Sequence, residues 1–142
     1  MDAKVDKAIE IAAIAHDNQY RKFEEACVPY IVHPLRVAAR FSLCDNIHKI
    51  VAILHDVVED TPVTLKDLEE HFSAEVIAAV DAISKRDGEK YFDYIERCKQ
   101  NMVARSVKIV DIHDNMKSFT EGHGMFERYK KSLKILEQPT CF

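Results

Sequence analysis

The chain has 142 residues, 47% of them apolar, with three glycines, four prolines and no tryptophan. So little turn chemistry argues against a fold of many short strands and for helices packed around one core, a single domain spanning 1–142. A formal net charge of −4 argues against a nucleic-acid polymer as partner, since that needs many Lys/Arg–phosphate contacts, but it leaves room for a local basic pocket for one small anion.

No apolar run approaches the roughly 18 residues of a membrane span. Residues 1–7 lack the apolar stretch of a signal peptide. A cytoplasmic chain without a membrane partner is expected. Cys27, Cys44, Cys98 and Cys141 lie far apart with no Cys-x-x-Cys pair, so structural zinc and disulfides are discounted and the thiols are read as reduced and partly buried.

Taken in chain order, Ala3 to Asn18 reads as an amphipathic helix, with Val5, Ala8, Ile9, Ala12 and Ala15 on one face. Arg21 to Ile31 reads as a loop. A second helix is predicted to start at Pro34, where the missing N–H has no helical role, and to run to Phe41. A third covers Ile47 to Val58 and is stopped by Thr61-Pro62. Thr64 and Asp67 resemble a capping box opening a short helix to Phe72. Ser73 caps the next, to about Lys85. Asp87-Gly88 is a turn. Further helices are predicted over Tyr91–Gln100 and Met102–Phe119. Glu121 to Gly124 breaks the chain, and Phe126, Tyr129, Leu133 and Leu136 stripe a last helix. No segment alternates with period two, so the expected fold is all-α, a compact multi-helix bundle.

The third helix ends in His55-Asp56-Val57-Val58-Glu59-Asp60. In a continuous helix, residues four apart share a face, which sets His55 beside Glu59 and Asp56 beside Asp60. Three carboxylates at the border of a core repel one another unless a cation compensates. Alone, the cluster fits a metal site or a solvated acidic helix end equally well. Two other segments bear on the choice. His33 sits among apolar residues in Tyr30-Ile31-Val32-His33-Pro34-Leu35, and Asp111 lies in the apolar stretch Val107 to Met116, on one face with Asp114 and Asn115. Two histidines and two aspartates suit a borderline transition metal with open positions.

His33, the His55-Asp56 doublet and Asp111 match the H…HD…D pattern of HD-domain phosphohydrolases. Four segments resemble the hydrolase domain of the RelA/SpoT family and its small alarmone-hydrolase relatives: Ala15 to Lys22, Pro29 to Ala38, Leu54 to Thr61, and Val107 to Met116. They occur in family order. The resemblance implies that His33, His55, Asp56 and Asp111 bind one divalent ion, usually Mn2+. It also implies that Glu59 and Asp60 position and activate the attacking water, that Arg21 and Lys22 pack near a guanine base, and that Asn115 contacts the nucleotide. The implied reaction is hydrolysis of the 3′-pyrophosphate of (p)ppGpp, a small nucleotide substrate. Read without the resemblance, Arg21 and Lys22 are plain surface charges and Asn115 an ordinary solvent-facing residue.

The chain departs from that family in three places. Phe23 to Val28 carries Glu24 and Glu25 where a small glycine-containing segment is usual. Lys117 replaces an arginine and loses its bidentate fork. The stretch Gly88 to Arg97 is unlike that of alarmone hydrolases. Cations for a polyanionic substrate reduce to Arg21, Lys22, Lys108 and Lys117. Two alternatives follow: the same chemistry on another phosphorylated nucleotide or small phosphoester, and a catalytically silent nucleotide-binding module. His16, His48, His71, His113 and His123 are read as ordinary histidines, and the oligomeric state is open.

Overall fold

The structure is a computed structural model and describes residues 2–25, 27–43 and 45–140. Among these residues it has nine helical segments: α1 (Ala3–Ala15), α2 (Val32–Ala39), α3 (Asn46–Leu54), α4 (Val57–Asp60), α5 (Leu65–Glu69), α6 (Ala74–Ile83), α7 (Tyr91–Lys99), α8 (Met102–Met116) and α9 (Gly124–Glu137). The described residues contain no strand, and one isolated bridge pairs Tyr20 with Pro29. The fold is all-α, as expected. No helix among them is long and apolar enough to cross a membrane.

Local chemistry places most of the helix starts. Asp2, Asp45, Ser73 and Asn101 each accept a backbone N–H of the turn they open. Thr64 and Asp67 form the expected reciprocal capping box. The core gathers around α3, whose residues Ile50 to Leu54 are all buried. It packs against α1, α2, α6 and α8, and α8 packs in turn against α2, α6, α7 and α9. Each fully buried leucine or isoleucine here, such as Leu54, Ile95, Ile112 and Leu136, contributes about 1.5–3 kcal/mol of transfer free energy. The two central helices therefore fix whatever their ends and inner faces carry.

Several boundaries differ from the sequence reading. The first helix stops at Ala15, because Asn18 takes a left-handed φ of 63° and turns the chain. The second begins at Val32, two residues before Pro34, which still falls in the first turn where its lost N–H has no helical acceptor. The predicted Ile47–Val58 helix is two pieces, broken at His55 and Asp56. Asp56 has φ −104° and ψ −3°, and the His55 side chain bonds the Ala52 carbonyl. The helices expected to reach Phe72, Lys85 and Phe119 end at Glu69, Ile83 and Met116. Cys98 is buried, but Cys27 is exposed, because its loop lies on the surface. Cys44 and Cys141 lie outside the described residues.

Candidate metal centre

Three parts of the chain converge on one point. His33 comes from the first turn of α2, His55 and Asp56 from the break between α3 and α4, and Asp111 from the middle of α8. One ligand atom from each of the four lies within 4.8 Å of the others. His33 Nδ1–H donates to Asp114 Oδ2 at 2.7 Å, and His55 Nδ1–H donates to the Ala52 carbonyl at 2.5 Å. These bonds turn both Nε2 atoms to the same centre. They lie 2.8 and 3.2 Å from Asp111 Oδ1, and His55 Nε2 is 3.0 Å from Asp56 Oδ2.

The electrostatics show which charge this centre favours. Burial alone pushes the His33 and His55 imidazoles down. The carboxylates Asp111 and Asp114 around His33, and Asp56 and Asp111 around His55, outweigh it and hold both above the ordinary histidine value. Burial pushes Asp56 up, but His55 beside it brings it well below the usual carboxylate range. Asp111 is likewise driven down, against burial, by Lys108 and His55. The cluster thus favours positive charge at its centre. A divalent cation supplies such charge. Two nitrogens with fixed tautomers and two carboxylate oxygens form a donor set that suits a borderline transition metal, so the residues present fit such an ion.

The surrounding groups complete the site. Tyr30 donates its hydroxyl to Asp56 Oδ2 at 2.6 Å and lies 3.5 Å from Asp60. Lys108, part-buried, bonds Asp111 Oδ2 at 2.8 Å. Asp60 is pushed up to about 7 by burial and by the Asp56 and Glu59 carboxylates. Glu59 is also raised, chiefly by burial, although the Lys85 N–H donates to it at 2.7 Å. Because the helix breaks at His55, the expected one-turn alignment of His55 with Glu59 is replaced by this contact with the segment after α6. Asp56, Glu59, Asp60, Lys108 and Asp111 nonetheless border one cavity of about 230 Å³.

A second cavity, of about 540 Å³, holds the other expected residues. Arg21 donates from Nη2 to Asn115 Oδ1 at 2.7 Å, and Asn115 donates to Asp111 Oδ1 at 3.1 Å. The Arg21 guanidinium lies 5.5 Å from the centre of the Tyr30 ring. Lys22 is exposed and lines the same cavity. Glu24, one of the two acids by which this loop departs from the family, is paired. It bonds Arg21 Nε at 3.3 Å and Arg36 Nη2 at 2.5 Å. Lys117 is 71% exposed and sits 3.7 Å from Asp114. His113 is exposed, away from the centre, while His16 is buried against Tyr30 with ring centres 4.8 Å apart. Sequence reasoning missed the roles of Asp114, Tyr30 and Lys108. The signal available for Asp114 was its place on the Asp111 face of α8.

Comparison with known proteins places the chain in a family. The profile of the HD domain matches residues 8–118. A guanosine-3′,5′-bis(diphosphate) 3′-pyrophosphohydrolase of Haemophilus influenzae is 45% identical over 83 residues, 57% of this chain and 12% of the relative. The bifunctional (p)ppGpp synthase/hydrolase SpoT of Escherichia coli is 39% identical over 101 residues, 69% of this chain and 14% of the relative. A 3′-pyrophosphohydrolase of the same name from Aquifex aeolicus is 32% identical over 125 residues, 81% of this chain and 18% of the relative. The chain thus spans less than a fifth of the length of these relatives. Among solved structures, a metazoan ortholog of SpoT described as hydrolysing ppGpp superposes with a TM-score of 0.82 at 24% identity, covering 96% of this chain and 87% of the other. At that identity the likeness is one of fold.

Proposed function

This chain belongs to the HD-domain family, and we propose that it is a metal-dependent phosphohydrolase, a single hydrolase unit that removes pyrophosphate from the 3′ position of (p)ppGpp to give GDP or GTP. One observation carries the reading. Tyr30, Asp60, Asn115 and Tyr129 line both cavities, so Asp56 and Asp111 of the cluster, the acidic pair and the Arg21–Asn115 pair border two adjoining cavities that share a wall. The names of the relatives support the same substrate. The reading includes a cytoplasmic setting, supported by the nucleotide class of that substrate.

His33, His55, Asp56 and Asp111 would hold one divalent ion, with Mn2+ preferred. When bound, such an ion supplies a water acidic near neutral pH and offsets charge on the attacked phosphate. Asp114 and the Ala52 carbonyl keep both imidazoles aimed at that position. Asp60, pushed up to about 7, can accept a proton from water or return one to the leaving oxygen. Glu59 is pinned by the Lys85 N–H and keeps a second carboxylate on the same wall. Arg21, with its Nε and Nη2 committed to Glu24 and Asn115, offers the flat face of its guanidinium to a base. Asn115 keeps one amide hydrogen and one lone pair for the nucleotide.

The test is purified protein with Mn2+ and ppGpp, with products separated chromatographically. GDP and pyrophosphate are expected. Asp56→Ala is expected to lose both turnover and bound metal on elemental analysis. Intact ppGpp alongside cleavage of another nucleotide phosphate would overturn the substrate. Tight nucleotide binding without cleavage of any would replace the enzyme reading with that of a binding module.

A further inference from the structure

We propose that Arg128 on α9, stacked on Tyr91 and assisted by Lys85, forms a subsite for the inorganic pyrophosphate group beside the candidate metal cluster. The inference rests on the phosphohydrolase reading above and adds where the leaving group is held.

The argument begins with charge. The 230 Å³ cavity is lined by four carboxylates, those of Asp56, Glu59, Asp60 and Asp111. A divalent ion and Lys108 together supply three positive charges, so this wall remains unfavourable to a polyanion. Further cations must face it. The candidates visible in the sequence do not serve. Lys108 is already bound to Asp111. Lys117 is exposed and paired with Asp114. Arg21 is shared between Glu24 and Asn115, and Lys22 lines the other cavity. The cations that remain on this cavity's lining are Lys85 and Arg128.

Arg128 has the features of a group awaiting an anion. Its Nε is buried without a hydrogen-bond partner among the described residues. Among those residues no carboxylate approaches its guanidinium within 4.0 Å, although Arg36, Arg86 and Arg97 each have one. A buried donor left unsatisfied is costly, and in a native site it calls for a missing partner. The guanidinium is also pre-positioned. Its central carbon lies 3.3 Å from the centre of the Tyr91 ring, and the Tyr91 hydroxyl is 3.4 Å from Ser132 Oγ, one turn along α9. A stacked guanidinium keeps its N–H edge free for bidentate contact with phosphate oxygens. Lys85 adds a second positive charge to the same lining. Its backbone N–H is bound to Glu59, and among the described residues its ammonium has one hydrogen-bond partner, the Arg86 carbonyl at 3.4 Å. Arg128 lies on α9, beyond residues 8–118, the stretch matched by the HD-domain profile.

The test is isothermal titration of inorganic pyrophosphate, and separately of GDP, into protein in saturating Mn2+, with metal content measured for each variant. Arg128→Met is expected to weaken pyrophosphate binding about tenfold or more, the loss typical of a charge-assisted contact, while GDP affinity and bound metal stay as in wild type. Lys85→Met, which keeps the backbone bond to Glu59, is expected to weaken pyrophosphate by a smaller factor. If Arg128→Met does not fold, Arg128→Lys decides, and its pyrophosphate affinity must fall below wild type because the planar fork is gone. Unchanged pyrophosphate affinity, or a loss confined to GDP, overturns the subsite. A wild-type protein that leaves ppGpp intact yet binds pyrophosphate through Arg128 would overturn the substrate and leave the subsite standing.

Discussion

Asp114 shows how far a single side chain outside the ligand set can govern the centre. Its Oδ2 takes the His33 Nδ1–H at 2.7 Å, and its Oδ1 lies 3.3 Å from Arg36 Nε. Without that acceptor the His33 ring is free to rotate or change tautomer, and its Nε2 loses its aim. Asp114→Ala is therefore expected to weaken Mn2+ binding by about 10–100-fold while the helical fold persists. Titration of metal into apoprotein checks this, and an affinity within twofold of wild type would remove Asp114 from that role. The four residues of the cluster were legible in the sequence because their types and order match the H…HD…D pattern, and the structure brings them within 4.8 Å of one another. Asp114 was legible only as a neighbour of Asp111 on one helix face, since its partner lies 81 residues away. The pairing of Glu24 was hidden for a similar reason. The Arg36 that neutralises its carboxylate is brought close by folding. Arg128 left no signal at all, because having no partner is a property of the assembled site.

At the scale of elements, the unusual stretch from Gly88 to Arg97 acquires a structural purpose. Arg97 on α7 donates to the Asp81 and Ser84 carbonyls at the end of α6, at 3.0 and 2.8 Å, and pairs with Glu89 at 2.9 Å. It thereby fixes the turn that carries the Lys85 N–H to Glu59. The Arg97 guanidinium holds the Glu89 carboxyl down at about 2, against 4.5 ordinarily. A carboxylate with a depressed value adds stability that is complete above the ordinary value and is lost as pH falls towards the depressed one. The wild-type melting temperature should accordingly fall between about pH 4.5 and pH 2 more steeply than that of Glu89→Gln, which should start lower by on the order of 2–5 °C at pH 7. Parallel pH profiles for the two proteins would refute the pairing. Helix starts such as Thr64 and Ser73 were readable because a cap is a local event. The break at His55 was not, since a histidine bonding back to Ala52 looks, in sequence, like one more helical residue.

In the whole molecule, α3 and α8 form the axis, and α9 closes the cavity from outside the HD-matched stretch. That the chain is helical followed from its composition and periodicity. That its last helix contributes Arg128 and Tyr129 to the site depends on packing between α9 and both α7 and α8, which periodicity does not specify. Metal should matter to this assembly as well as to turnover. Mn2+ at about a hundred times its dissociation constant is expected to stabilise the fold by about 2.7 kcal/mol, seen as a melting temperature that rises with metal and falls with chelator. Asp56→Ala should show no such shift, and an equal shift in that variant would refute the coupling. The ligands that make this possible are far apart along the chain. His33 and Asp111 are 78 residues apart in a chain of 142, so an ion gripping both closes a ring of more than half the polypeptide. Opening that ring frees a large loop entropy, and holding it shut withholds the unfolded state from proteases. On the proposed reading, the supply of divalent metal would set how long each copy of the chain survives as well as how fast it turns over substrate.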